Sequence, residues 1–192
     1  MRPSVEMGSP RGPALGMLEW RGIADGFEAA DRVAKEAPVE LLLCQPVSPG
    51  KFVVLFSGEV SDVTSSLRVG RESEGAELID QLLLPQADPS VAEAVRGTRD
   101  VAEMDAVGVV ESHVVASLLV AADVAVKTAE VELLRIRLAM GLGGKAFVTL
   151  TGEVSQVRAA VNAAAGFLDA QGLRAGQAVI PQPHPQLEGF LR

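Results

Sequence analysis

The stretch from Ala14 to Val63 is written a second time from Ala106 to Val157, and this duplication constrains the fold more than any single residue does. Ala14, Gly16 and Glu19 of A-L-G-M-L-E return as Ala106, Gly108 and Glu111 of A-V-G-V-V-E, an offset of 92 (106 − 14). The same offset carries Ala29, Ala30, Asp31, Lys35, Glu40, Leu41 and Leu42 onto Ala121, Ala122, Asp123, Lys127, Glu132, Leu133 and Leu134. Gly50, Lys51, Gly58, Glu59 and Val63 then match Gly144, Lys145, Gly152, Glu153 and Val157 at an offset of 94 (144 − 50), so the second copy holds two extra residues before its Gly-Lys. Leu84-Pro85-Gln86 with Pro89 aligns with Ile180-Pro181-Gln182 and Pro185 at an offset of 96 (180 − 84). Two similar domains in tandem follow, each of roughly 90 residues and near the small end for an independent core.

Composition narrows the function classes. A net charge of −8 argues against a nucleic-acid groove, because neutralising phosphates needs clustered Lys and Arg and here the cations are scattered. The single cysteine, Cys44, excludes an internal disulfide framework and fits a reducing cytosol. Residues 1–12 lack the apolar run of a signal peptide and read as a flexible tail. No stretch approaches the ~20 apolar residues of a membrane span, and Asp123 ends the longest one, Val114 to Ala122.

Along the first copy, Ala14 to Glu19 reads as a strand. Ile23, Phe27, Ala30, Ala34 and Ala37 recur at spacings of three and four, which predicts a helix buried on that face and closed by Pro38. Glu40 to Gln45 and Phe52 to Ser57 read as strands joined by a loop whose prolines are expected to stay outside the sheet. A helix over Val60 to Gly70 follows the acidic Glu59, and Leu78 to Leu84 is the fourth strand. The second copy repeats the order. Its first helix, Val114 to Lys127, is apolar almost all round, which predicts cover on more than one face, from another subunit or from the chain's own sheets.

Catalytic chemistry is hard to find. Gly141-Leu142-Gly143-Gly144-Lys145 lacks the phosphate-loop pattern, since Ala139 and Ala146 stand where that motif needs Gly and Ser or Thr. His113 and His184 have no second His or Cys at ligand spacing, so no metal site is expected. Asp31 and Asp123 hold equivalent helix positions, which suggests a shared structural task rather than a catalytic pair. The residues therefore point away from an enzyme. A tandem regulatory domain binding a small ligand, or an electron-transfer protein using Cys44, are the alternatives from other classes.

A-L-G-M-L-E, G-I-A-D-G-F-E-A-A-D with Lys35, V-E-L-L-L, V-S-P-G-K-F and S-G-E-V-S-D-V, twice over and ending in V-I-P-Q-P-H-P, resemble the shell-protein domain of bacterial microcompartments. Tandem copies resemble the trimer-forming shell proteins, nearest to the propanediol-utilisation type. The resemblance implies an α/β fold (an α+β sandwich) in unpermuted order, with shell domains over residues 13–97 and 106–192 and a linker over 98–105. It also implies a homotrimeric pseudohexamer that tiles with hexameric and pentameric shell proteins of one cytoplasmic compartment.

By the same resemblance, Val47, Ser48, Pro49 and Gly50 of the first copy and Met140, Gly141, Leu142 and Gly143 of the second line a central pore for small polar metabolites. In the propanediol type a cysteine stands at the place of Ser48 and holds an iron–sulfur cluster. A serine hydroxyl, unionised at neutral pH, is a poor cluster ligand, so no cluster is expected. Lys35 and Lys127 match the family's tile-edge lysines. Gln182, before Pro183 and His184, stands where an edge arginine often stands, as does Gln86 in the first copy, which implies fewer charged edge contacts.

Overall fold

The computed structural model describes residues 11–73, 75–97 and 104–191. Residues 1–10 of the expected tail and 98–103 of the expected linker lie outside the described residues. The chain divides into two compact units. One holds the described residues up to Pro46 together with Gly50–Ala87; the other holds Val47–Pro49 and the described residues from Asp88 onward.

The first repeat runs β1 (Ala14–Trp20), α1 (Ile23–Glu36), β2 (Glu40–Val47), β3 (Lys51–Gly58), α2 (Val60–Arg71) and β4 (Leu78–Leu84), followed by α3 (Pro89–Arg96). The second runs β5 (Ala106–Ser112), α4 (Val115–Thr128), β6 (Glu132–Leu138), β7 (Ala146–Gly152), α5 (Val154–Asp169) and β8 (Arg174–Pro181), followed by α6 (Pro185–Leu191). Each builds a four-stranded sheet, in the orders β2-β3-β1-β4 and β6-β7-β5-β8. The pairings of β1 and β5 with their neighbours are antiparallel, and both strands shift register at their last residue, between Glu19 and Trp20 and between Glu111 and Ser112. The irregularity is duplicated along with the sequence. Pro46 corrects one expectation by lying within β2, and it is tolerated because β2 is an edge strand.

Two small residues explain how closely the layers approach. Gly16 of β1 and Gly108 of β5 are repeat equivalents under the helices. A Cβ on Gly16 would stand 2.6 Å from the Phe56 ring and 2.8 Å from Val63, and one on Gly108 would stand 2.5 Å from Val161. The first core gathers Leu18, Trp20, Ala29, Val33, Phe52, Val54, Phe56 and Val63.

The buried face of α1 differs from the sequence expectation. Gly26, Ala29, Ala30 and Val33 face inward, while Ile23 and Phe27 are 39% and 53% exposed and Ala34 is exposed. Close approach to the sheet accounts for this, since a Cβ on Gly26 would meet the Phe52 side chain at 2.6 Å. Only the small stripe fits there, and Phe27 lies beside Phe52 with ring centroids 4.5 Å apart.

Helix α4 is buried at Val115, Ala116, Leu118, Leu119, Ala121, Ala122, Asp123 and Ala125. Its cover includes α5, the sheet of its own unit and α3. Neither another subunit nor a second sheet is needed for that burial. Helices α3 and α6 were absent from the sequence reading because each is only two turns long, too short for a periodic apolar pattern. Among the described residues no helix is long and apolar enough to cross a membrane.

Candidate functional site

The loop between β2 and β3 carries the residues expected at the pore, and its tip, Val47–Pro49, belongs to the second unit while Gly50 belongs to the first. Val47 is 4% exposed and anchors the loop, Ser48 is half-buried, and Pro49 and Gly50 are exposed. The Ser48–Pro49 peptide is cis. Ser48 makes two contacts to the loop that follows β6. Its amide donates to the Ala139 carbonyl at 3.2 Å, and its Oγ accepts from the Gly141 amide at 3.2 Å. The two stretches placed at the pore by resemblance thus meet through Ser48.

The second stretch is a compact turn. The Ala139 amide donates to the Lys145 carbonyl at 3.0 Å and Lys145 donates back to Leu142 at 3.2 Å. Gly141 and Gly143 have φ of 72° and 62°, the left-handed region where glycine has no steric penalty. Those glycines set the turn that aims the Gly141 amide at Ser48. Met140 is 47% exposed, Leu142 half-buried, and Gly141 and Gly143 exposed. A hydroxyl that accepts one hydrogen bond keeps its own proton to donate and a second lone pair. Ser48 can therefore exchange hydrogen bonds with a neutral polar molecule but supplies no charge.

The lysines expected at tile edges are each held by the matching aspartate. Lys35 Nζ lies 2.6 Å from Asp31 Oδ2 and Lys127 Nζ lies 2.7 Å from Asp123 Oδ2. The shared task of the two aspartates is thus structural, but their settings differ. Asp31 is exposed; Asp123 is 5% exposed and its Oδ1 accepts from the Asp88 amide at 2.7 Å. Asp88 in turn caps α3, its side chain accepting from the Ser90 amide at 2.9 Å. Lys127 lines an open groove of 690 Å³ with Asp88, Ser90, Glu130, Glu132 and Gln156.

The remaining edge residues lie at chain turns. Gln182, exposed, has φ of 48°, and its amide donates to Asp105 at 2.7 Å. His184 is exposed between buried Pro183 and exposed Pro185, and its Nδ1 accepts from the Gln186 amide at 3.2 Å. Gln86 is exposed at the end of the first repeat. His113 follows β5, exposed, with its amide bonded to Leu173.

A pair that the sequence reading did not single out joins the two matched motifs. Lys51 contacts the Glu19 carboxylate, and Lys145 Nζ lies 3.6 Å from Glu111 Oε2. The signal was present, because both glutamates and both lysines are repeat-matched. What was missing was the β1–β3 register that sets Glu19 opposite Val53, close to Lys51. Cys44 is exposed on β2, and partial burial among its neighbours pushes its thiol pKa up from the ordinary value.

Comparison with known proteins follows the duplication. A family model for the BMC domain matches twice, over residues 14–87 and 106–183. Over 174 residues the chain is 40% identical to the bacterial microcompartment shell protein PduT of Citrobacter freundii, covering 91% of this chain and 95% of that protein. The carboxysome shell protein CsoS1C of Halothiobacillus neapolitanus is 40% identical over 67 residues, 35% of this chain and 68% of that one. A crystal structure of a microcompartment protein from Desulfitobacterium hafniense DCB has a TM-score of 0.89 at 40% identity, covering 93% of this chain and 99% of that one. The fused permuted hexameric shell protein MSM0275 from the RMM microcompartment has a TM-score of 0.55 at 20% identity over 81% of each chain, which is a likeness of fold alone. With two copies of one domain end to end and a relative matched along nearly its whole length, this chain belongs to the tandem BMC-domain shell proteins of bacterial microcompartments and is a structural component of such a shell.

Proposed function

We propose that three chains close into a pseudohexameric tile whose central opening is rimmed by Ser48 and the loop of Met140 to Gly143, and that small polar metabolites cross the shell there. The observation that carries this reading is the hydrogen bond from the Gly141 amide to Ser48 Oγ, which ties the two pore-assigned stretches together within one chain. A closed threefold ring repeats that junction three times through heterologous contacts. The resulting constriction is polar and uncharged, so it replaces part of a metabolite's hydration without trapping it.

The tile works beside hexameric and pentameric shell proteins of a cytoplasmic compartment, with Lys35 and Lys127 at its edges, and performs no catalysis itself. An iron–sulfur cluster does not fit the residues present. Ser48 offers an alcohol already engaged by an amide, and the chain's sole thiol, Cys44, sits on β2 with its pKa pushed up, which disfavours the thiolate that iron needs.

Native mass and electron microscopy of the purified protein test the ring, and metabolite flux across assembled shells tests the opening. Replacing Ser48 by Phe should slow flux without altering the ring. Unchanged flux would remove Ser48 from the path, and a soluble dimer with saturable ligand binding would favour a regulatory domain instead.

A further inference from the structure

The last helix of the chain is a repeat copy of a helix whose docking site is visible. At the offset of 96 that aligns Pro89 with Pro185, P-S-V-A-E-A-V-R (Pro89 to Arg96) lies over P-Q-L-E-G-F-L-R (Pro185 to Arg192). Helix α3 packs against β6, the edge strand of its sheet, with Val91 0% and Ala94 1% exposed. Their counterparts on α6 are Leu187 and Phe190, 37% and 84% exposed. Leu191 at the end of α6 packs beside Met104, Val107 and Leu134, and its carbonyl accepts from Thr149 Oγ1 at 3.0 Å, whereas Phe190, at a position buried in the equivalent helix, is left exposed.

The surface that should receive α6 follows from the same duplication. Strand β2 holds in its sheet the edge place that β6 holds in the other. Leu41 and Cys44 of β2 are half-buried and exposed, whereas their counterparts at the offset of 92, Leu133 and Ile136, are 0% and 3% exposed. The helix end repeats as well: the Asp88 amide donates to Asp123 on α4, and the matched residues are His184 and Asp31.

We infer that α6 docks on β2 of a second copy of this chain, with Leu187 and Phe190 packing beside Leu41 and Cys44 and the His184 amide donating to Asp31 of that copy. This rests on the ring proposed above and names the contact that closes it. Each chain gives its last helix to the next and receives one, as a heterologous cyclic interface requires. A buried aromatic anchor of this kind is a common centre of binding energy.

The test uses the full chain. Leu187→Asp with Phe190→Asp should weaken trimer formation at least about tenfold by sedimentation, while circular dichroism stays that of the folded wild type, because both side chains are already exposed within the single chain. Because Cys44 is the only native thiol, Phe190→Cys oxidised with copper–phenanthroline and dissolved oxygen should join neighbouring copies through Cys44. Two thiols lose two electrons and two protons to the oxidant as the bond forms. Cys44→Ala should abolish that product. A wild-type trimer that survives the Asp variant and yields no Cys44 cross-link overturns this contact and leaves the ring standing; a monomeric wild type overturns both.

Discussion

Lys51 places its ammonium on the carboxylate of Glu19, whose side chain is 3% exposed, and the repeat-matched pair Lys145 and Glu111 stands 3.6 Å apart with side chains 48% and 42% exposed. The contact at Glu19 Oε1 is ionic rather than an aligned hydrogen bond. One duplicated motif is therefore a buried charge pair in the first repeat and a solvated one in the second. Removing a partner from a buried pair strands the other charge, whereas an exposed pair is screened by water.

Lys51→Met should cost about 3–5 kcal/mol in denaturant unfolding, because it leaves the buried Glu19 carboxyl group without its partner. Lys145→Met should cost only about 0–1 kcal/mol. Equal losses for the two variants would refute the difference in setting.

Gly16→Ala and Gly108→Ala should each destabilise by about 1–3 kcal/mol, since the added methyl overlaps packed side chains at 2.6 Å and 2.5 Å. Gly166→Ala, where nothing lies within 4 Å, should be neutral or slightly stabilising as a helix substitution. Thermal unfolding of the three variants checks the ordering.

Asp123→Ala removes both the acceptor for the Asp88 amide and one partner of Lys127. Hydrogen exchange of the α3 amides should then quicken, because the helix loses its tie to α4. Asp31→Ala, whose carboxylate faces Lys35, should leave α3 exchange unchanged.

The Cys44 thiol should titrate above its ordinary value near 9, because desolvation disfavours the thiolate. At pH 8 the thiolate fraction is thus smaller than for a free thiol, and it grows only as pH rises through the elevated pKa. Ultraviolet thiolate absorbance, with Cys44→Ser as the blank, measures the midpoint; a value below the ordinary one would remove the argument against metal binding at this thiol.

Much of the architecture was legible from the chain itself. Repetition of A-x-G-x-x-E, of Asp-x-x-x-Lys on the first helix and of Gly-Lys before the third strand set two copies of one strand and helix order, because a duplicated pattern of apolar periodicity folds to a duplicated unit. The task of Asp31 and Asp123 was also readable, since residues four apart on a helix face meet.

What no single repeat could show was depth. Whether Phe27 or Gly26 faces the sheet depends on how closely α1 approaches Phe52, and whether a Glu–Lys pair is dry or wet depends on what lies over it. The link from Ser48 to Gly141 joins residues 93 positions apart, and α3 finds its place on β6 although no local signal names that strand. Periodicity reports which side chains share a face of one element; only packing between elements decides which face is covered, because burial is a property of the neighbours as much as of the residue.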